Sequence, residues 1–487
     1  RRPSVNIAAN VNFRRTLSRI LSETMPSRSS PEYPSERTSL LNGDRNGWLN
    51  GHSASGSSSW KTFFLNRRTT PGTESPNPLV RYSASTWHVT KVTLMSNYVN
   101  FLLLIIPFAI AAGELGWSAN TVFILNFFAI IPLAAVLSFA TEEIAMRLGE
   151  TLGGLLNATF GNAVELIVSI VALRDGQIEV VQASMLGSIL SNLLLVLGMS
   201  FFFGGIWNLR NADGTGMEQQ FPSGTAQTTC SLLALSSASL VIPATLYNVL
   251  DAGDSKDKEG PILFLSRGTA VILLILYGLY LWFQLRTHHN LFDGVAHVDS
   301  HQDPEVSQNS IEQAEEHEQE EPCMGLIPAI IVLVATTVVV AICADYLVAS
   351  IDPIVESTKI SKTFIGLILI PIVGNAAEHA TAVVVAIKNK MDLAMGVAIG
   401  SSIQIALLVT PFLVMFGWAI GQPMTLHFET FSVVAFAFSV MVVTYTVQDG
   451  RSNYLEGAML FGLYCIIALA FYVSPSLDAT RAIKLVS

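Results

Sequence analysis

From Lys91 onward the chain alternates long apolar runs with short polar or Gly/Pro-rich breaks. A span needs roughly 20 apolar residues to cross ~30 Å of hydrocarbon. Eleven runs qualify, centred near residues 103, 129, 162, 193, 239, 274, 337, 374, 405, 437 and 464. The pattern predicts an all-α polytopic membrane protein with about eleven transmembrane helices. The longest internal break, from about Arg286 to Met324, separates spans two to six from spans seven to eleven. The expected organisation is a tail over 1–92, an extra helix over 93–115, five helices over 119–285, a linker over 286–325, five helices over 326–475 and a short tail over 476–487.

Two of the apolar runs carry the same polar residues. "GNAVELIVSIVAL" begins at Gly161 and "GNAAEHATAVVVA" at Gly374, so Gly161, Asn162 and Glu165 fall on Gly374, Asn375 and Glu378 at a shift of 213. The same shift lays "GSILSN" (Gly187, Ser188, Ser191, Asn192) on "GSSIQI", pairing Ser188 with Ser401 and Ser191 with Gln404. One shift that covers two separated motifs argues for internal duplication. Each half holds five spans, an odd number, so the second half must enter the bilayer with the opposite orientation. Inverted repeats of this kind place a substrate site near the midplane.

Within each span the polar residues lie three apart and share one helix face. A charged side chain at the bilayer centre costs ~2.5 to 3.5 kcal/mol on insertion scales, so Glu165 and Glu378 call for something cationic. Carboxylates, amides, hydroxyls and carbonyls are hard oxygen ligands suited to Ca²⁺. Gly161 and Gly374, each just before an Asn, permit local unwinding that frees carbonyls toward an ion. Burial favours a protonated carboxyl and a divalent cation favours the carboxylate, so metal and proton compete for the same oxygens. The expected site is Glu165, Glu378, Asn162, Asn375, Ser401 and Gln404, lined secondarily by Ser188, Ser191, Asn192, Gly161, Gly374 and His379. The blander alternatives are polar residues that merely join helices and glycines that merely allow close packing. His379 stands as either a proton relay or a packed, pore-lining residue. Glu142, Glu143 and Asp345 are candidates for an entry path, with interfacial snorkelling or surface exposure as the alternative.

Composition agrees with a membrane protein: 51% hydrophobic and 13% charged over 487 residues, with a mean hydropathy of +0.49. The first ninety residues hold no apolar stretch of signal-peptide type, so insertion is expected to rest on the internal spans. Charge is divided unevenly. Residues 1–92 hold 13 Lys and Arg against 5 Asp and Glu, net +8, and the remainder holds 14 against 32, net −18. The tail is rich in Ser, Pro, Gly and Asn and is expected to be disordered. Lys and Arg in the loops split evenly between the two sides, and the basic tail places the N-terminus and the linker in the cytosol. The linker's second half carries eight acids and no Lys or Arg, and reads as a solvated helix through Glu312, Glu315, Glu316, Glu318, Glu320 and Glu321, with a cytosolic cation trap or sensor as the sharper alternative. In the tail, Glu36 with Leu40 and Leu41 resembles an acidic dileucine signal read by sorting adaptors, and "RRPS" and "RRTLS" resemble kinase substrates. Cys230, Cys323, Cys343 and Cys465 lack metal-ligand spacing and read as packing residues. No cofactor and no nucleic-acid partner are expected.

The four glycine-led motifs together resemble the signature repeats of the Ca²⁺/H⁺ exchanger family, within the cation/Ca²⁺ exchanger superfamily. The resemblance covers residues 93 to about 475. It implies an extra first helix, two inverted five-helix halves joined by an acidic helix, and Glu165 and Glu378 as the central carboxylates. It also implies export of cytosolic Ca²⁺, in some members Mn²⁺, into an acidic organelle at the expense of its proton gradient. The dileucine-type string suggests a fungal vacuolar member. Na⁺/Ca²⁺ exchangers of the same superfamily usually place Pro before the Glu, where this chain has Val164 and Ala377. A membrane metallohydrolase would need a second histidine that "EHATA" lacks. A passive channel fits two half-sites in one chain less well than alternating access does.

Overall fold

The structure, a computed structural model, describes residues 70–73, 75–210, 216–249, 255–288, 322–358 and 360–474. These residues are almost entirely helical. We number the helices α1 (Pro78–Ser96), α2 (Tyr98–Glu114), α3 (Ala119–Gly149), α4 (150–160), α5 (Ala163–Arg174), α6 (Ile178–Trp207), α7 (Ser223–Val249), α8 (Ser255–Trp282), α9 (Leu326–Ala349), α10 (Lys362–Gly374), α11 (Ala376–Ile387), α12 (Met391–Ile420), α13 (Thr430–Thr446) and α14 (Tyr454–Val473). Seven helices among the described residues are long and apolar enough to cross a membrane, and nine if each of two bent pairs counts as one span. The protein is thus a polytopic helical membrane protein.

Lipid, rather than water, explains the outer surface. Along α9, Ile327, Ile331, Val334, Val338 and Ile342 are all exposed at helical spacing. In water such a stripe would be a liability. Its opposite face, with Leu333, Val340, Cys343, Ala344 and Leu347, is buried and packs along the chain of α3 and α4. At the start of α9, Glu143 of α3 accepts from the N–H groups of Cys323 and Met324, both at 3.0 Å, and Arg147 donates to the Met324 carbonyl at 2.6 Å. Buried backbone N–H groups in the segment leading into a helix need such acceptors, and charged hydrogen bonds are worth about 1.5 to 3 kcal/mol each.

Helix bounds repeat as the sequence motifs do. A shift of 213 carries Ala163 and Arg174, the ends of α5, onto Ala376 and Ile387, the ends of α11. It carries Ile178 and Trp207 of α6 onto Met391 and Ile420 of α12. Both long helices contain a π-turn at the matching place, Ser191–Val196 and Ile405–Val409. The connecting turns match as well: Gly176 (φ +74°) and Asn389 (φ +62°) are the equivalent left-handed residues, a conformation open to Gly and tolerated by Asn.

Two expectations change. The boundary at residue 92 falls inside α1, and the extra helix expected over 93–115 is two helices meeting at 109°. Hydropathy counting missed α1 because its 19 residues alternate apolar with Ser and Thr, giving no continuous apolar run. The dileucine string, the kinase-type strings and the acidic helix of Glu312 to Glu321 lie outside the described residues.

Candidate functional site

Each of the two Gly-Asn motifs sits at a helix break, while GSILSN and GSSIQI lie within α6 and α12. Asn162 (φ −102°, ψ 29°) separates α4 from α5, and Asn375 (φ −89°, ψ 7°) separates α10 from α11, which meet at 57°. Each Asn thereby leads its helix, and the carboxylate three residues later lies in the first turn. The positive end of the helix dipole faces that turn and favours negative charge there.

The breaks bring the two halves together through side chains. Asn162 Nδ2 donates to Gln404 Oε1 at 2.6 Å, and Ser401 Oγ donates to Asn162 Oδ1 at 2.8 Å. Asn192 Nδ2 lies 2.9 Å from Ser401 Oγ and 3.2 Å from Glu378 Oε2. Gln404, Asn162, Ser401, Asn192 and Glu378 thus form one line of hydrogen bonds that crosses between the motif sets. Asn375 Nδ2 donates to the Ser188 carbonyl at 3.4 Å, and Ser191 Oγ lies 3.1 Å from His379 Nε2. Glu165 packs on Gly374: a Cβ placed there would stand 2.7 Å from Glu165 Oε1. A side chain at this position would displace the Glu165 carboxylate.

The cluster is deeply placed. Asn162, Asn192, Asn375, Ser188, Ser191, Glu165 and Ser401 are buried, while Glu378, His379, Gln404 and Gly374 are half-buried and Gly161 is exposed. Phe127, Ile130, Val168, Leu347 and Ile370 line a small apolar cavity beside Glu165. Asn192 Oδ1, Asn375 Oδ1 and Ser188 Oγ are buried without a hydrogen-bond partner among the described residues. Leaving such atoms unpaired costs about 1 to 3 kcal/mol each, a cost that a hard cation accepting these oxygens would remove. Among the described residues no three His, Cys, Asp or Glu side chains gather as a metal cluster. Two carboxylates supplemented by amide, hydroxyl and carbonyl oxygens are the donor set present, and it suits a hard ion.

The entry-path candidates lie elsewhere. Glu143 is 1% exposed and commits both oxygens to Cys323 and Met324, so it is a helix-start acceptor and lines no path. Glu142, its neighbour, is exposed. Asp345 pairs with Arg174, nine residues beyond Glu165 and so about 13 Å along α5. The same end carries a set that sequence reading missed. Lys362 Nζ lies 2.7 Å from Asp352 Oδ1, and Gln177 Nε2 donates to Asp352 Oδ2 at 2.7 Å. These residues join the turn after α5 to the segments flanking α10, and only their charge could have flagged them.

A polytopic helical protein whose two broken helices pool buried carboxylates and amides belongs to the class of membrane proteins built to hold a cation. Residues 118–286 and 328–473 match the sodium/calcium exchanger protein family, and the chain belongs to that family. It is 50% identical over 387 residues to the vacuolar calcium ion transporter of Schizosaccharomyces pombe, covering 80% of this chain and 87% of that one. It is 44% identical over 377 residues to the Ca²⁺/H⁺ antiporter of Synechocystis, covering 77% and 97%. The solved structure of native YfkE is similar at 34% identity and a TM-score of 0.61, covering 77% of this chain and 100% of that chain. The resemblance to Ca²⁺/H⁺ exchangers expected from the motifs is borne out.

Proposed function

We propose that the protein is a secondary active antiporter that moves cytosolic Ca²⁺ into the vacuole in exchange for lumenal H⁺, by alternating access at a midplane site. The observation that carries this reading is the placement of Glu165 and Glu378 in the first turns of two broken helices within one buried, oxygen-rich cluster. Two carboxylates can neutralise one divalent ion or take up protons in its place. Competition for the same oxygens couples the two fluxes without a further site. The names of its relatives, a vacuolar calcium ion transporter and a Ca²⁺/H⁺ antiporter, support the same ion pair. Mn²⁺ is a hard ion that the same donor set accepts.

Two inverted five-helix halves preceded by one extra span, eleven crossings in all, form the architecture we assign. The constant shift between helix bounds supports the duplication. Five crossings per half reverse the second half, which sets the two Asn breaks on opposite sides of one midplane site. The N-terminus and the linker are cytosolic in this arrangement, and the Arg174, Asp345, Asp352 and Lys362 cluster is lumenal.

Purified protein in liposomes with an acidic lumen tests the reading. Ca²⁺ uptake is expected to follow the pH gradient and to stop when an ionophore collapses it. Uptake that persists without the gradient, or that a Na⁺ gradient drives equally well, would contradict it.

A further inference from the structure

Helix α1 wears its polar and apolar sides the opposite way round from a helix facing water. Ala84, Lys91 and Val92 are buried on one face and His88 is half-buried beside them. Their polar atoms bond inward: Lys91 Nζ donates to Thr70 Oγ1 at 2.8 Å, His88 Nδ1 lies 2.9 Å from the same oxygen, and His88 Nε2 lies 3.0 Å from the Cys323 carbonyl. The outward stripe is Leu79, Tyr82 and Leu94, 80%, 66% and 42% exposed, with Thr86 and Thr90 between them at helical spacing. No Asp or Glu occurs in the helix.

Two independent contacts fix where this helix lies. The 109° bend at Asn97 sets α1 nearly perpendicular to α2, and it is a built corner. Asn97 Oδ1 accepts from Val99 N–H, and Asn100 Nδ2 reaches back to the Thr93 carbonyl at 2.7 Å. A helix perpendicular to a membrane span runs along the membrane surface. His88 then ties the middle of α1 to Cys323, three residues before α9 begins at Leu326 and so at the level where that span enters the bilayer. The exposed stripe is continuous with Tyr98, Phe101 and Leu104 of α2, at 85%, 77% and 76% exposure the lipid-facing side of the first span.

We propose that α1 is an interfacial helix. Its Leu79, Tyr82 and Leu94 stripe lies in the headgroup and acyl boundary of the leaflet on the linker side. Arg81, an exposed cation on the same helix, engages anionic phospholipid headgroups. An apolar stripe beside an exposed cation, on a helix without acids, is the pattern that favours a negatively charged leaflet. Tyr82 and Tyr98 suit the interface because their rings are amphipathic. The inference rests only on the chain being membrane-embedded, so it stands or falls apart from ion exchange.

Site-directed spin labelling of the full chain, in a cysteine-free background and in nanodiscs containing phosphatidylserine, tests it. Labels at Leu79→Cys, Tyr82→Cys and Leu94→Cys are expected to collide with oxygen several-fold more than with a water-soluble nickel chelate, as a label at Phe101→Cys does. Nickel access equal to that of a label at Gly216→Cys, in a polar loop, would overturn the proposal by placing the stripe in water. Exclusion of both reagents would also overturn it, by showing protein, such as a second copy, over the stripe. Replacing phosphatidylserine with phosphatidylcholine is expected to raise nickel access at Leu79→Cys about twofold. No change would remove the anionic headgroups from the proposal.

Discussion

At Asn162 and at Asn375 the chain makes the same break, followed by a helix of the same length and a left-handed turn at the same place. The side chains around the two breaks are arranged differently. Asn162 is held by both Ser401 and Gln404, whereas Asn375 bonds the Ser188 carbonyl alone, because Ser191, the counterpart of Gln404, is too short and turns to His379 instead. Glu378 receives Asn192, whose counterpart Ile405 has nothing to offer Glu165. Glu165 lies instead against the bare backbone of Gly374. The two motif sets thus share the backbone that presents the acids and differ in the donors around them. The surroundings of Asn162 are tied into a network, whereas Asn375 keeps its Oδ1 unpaired among the described residues.

The acids are the element that stayed symmetrical, so their removal has the largest expected effect and should be equal in the two halves. Glu165→Gln and Glu378→Gln are each expected to cut Ca²⁺ uptake about a hundredfold, the equivalent of ~3 kcal/mol of lost charge interaction. A large difference between the two would show that the half-sites divide metal and proton binding between them.

Stability separates the halves next. Gly187 and Gly400 are equivalent, yet a Cβ at Gly187 would collide with the Leu367 carbonyl and one at Gly400 meets nothing within 4 Å. Overpacking of this kind costs typically 1 to 3 kcal/mol. Gly187→Ala should therefore lower the thermal midpoint of the detergent-solubilised protein by several degrees while Gly400→Ala leaves it nearly unchanged. Equal shifts would mean that the two helix crossings are alike.

Asn162→Ala removes two side-chain hydrogen bonds and Asn375→Ala removes one. At about 1 kcal/mol each, the apparent Ca²⁺ affinity is expected to fall more in the first than in the second, by about thirtyfold against about fivefold. The reverse order would place the ion against Asn375 Oδ1, the unpaired oxygen. Smallest of all is His379→Leu, which installs the residue of the first half, Leu166. Losing a single contact to Ser191 should change uptake by no more than about fivefold. A much greater loss, with the pH dependence displaced, would make His379 a proton carrier.

Sequence periodicity was sufficient for the repeat because both halves kept glycine, amide and acid at one spacing. Helix bounds then followed at the same shift. It gave Asn192 only as lining, since a residue matched to Ile405 carries no repeat signal and its bond to Glu378 exists only across the folded interface. Asp345 and Glu143 misled for the opposite reason. An acid within or near an apolar run looks functional until its partner is known, and Arg174 and the start of α9 supply those partners. α1 stayed hidden because its surface answers to an interface rather than to water or to the bilayer core.

Proton countertransport is the central claim, and lumenal pH reports it directly. Wild-type protein in sealed liposomes carrying a pH dye inside an acidic lumen should alkalinise that lumen when Ca²⁺ is added outside, and Glu165→Gln and Glu378→Gln should not. Ca²⁺ entry without alkalinisation in the wild type would contradict exchange through the paired carboxylates.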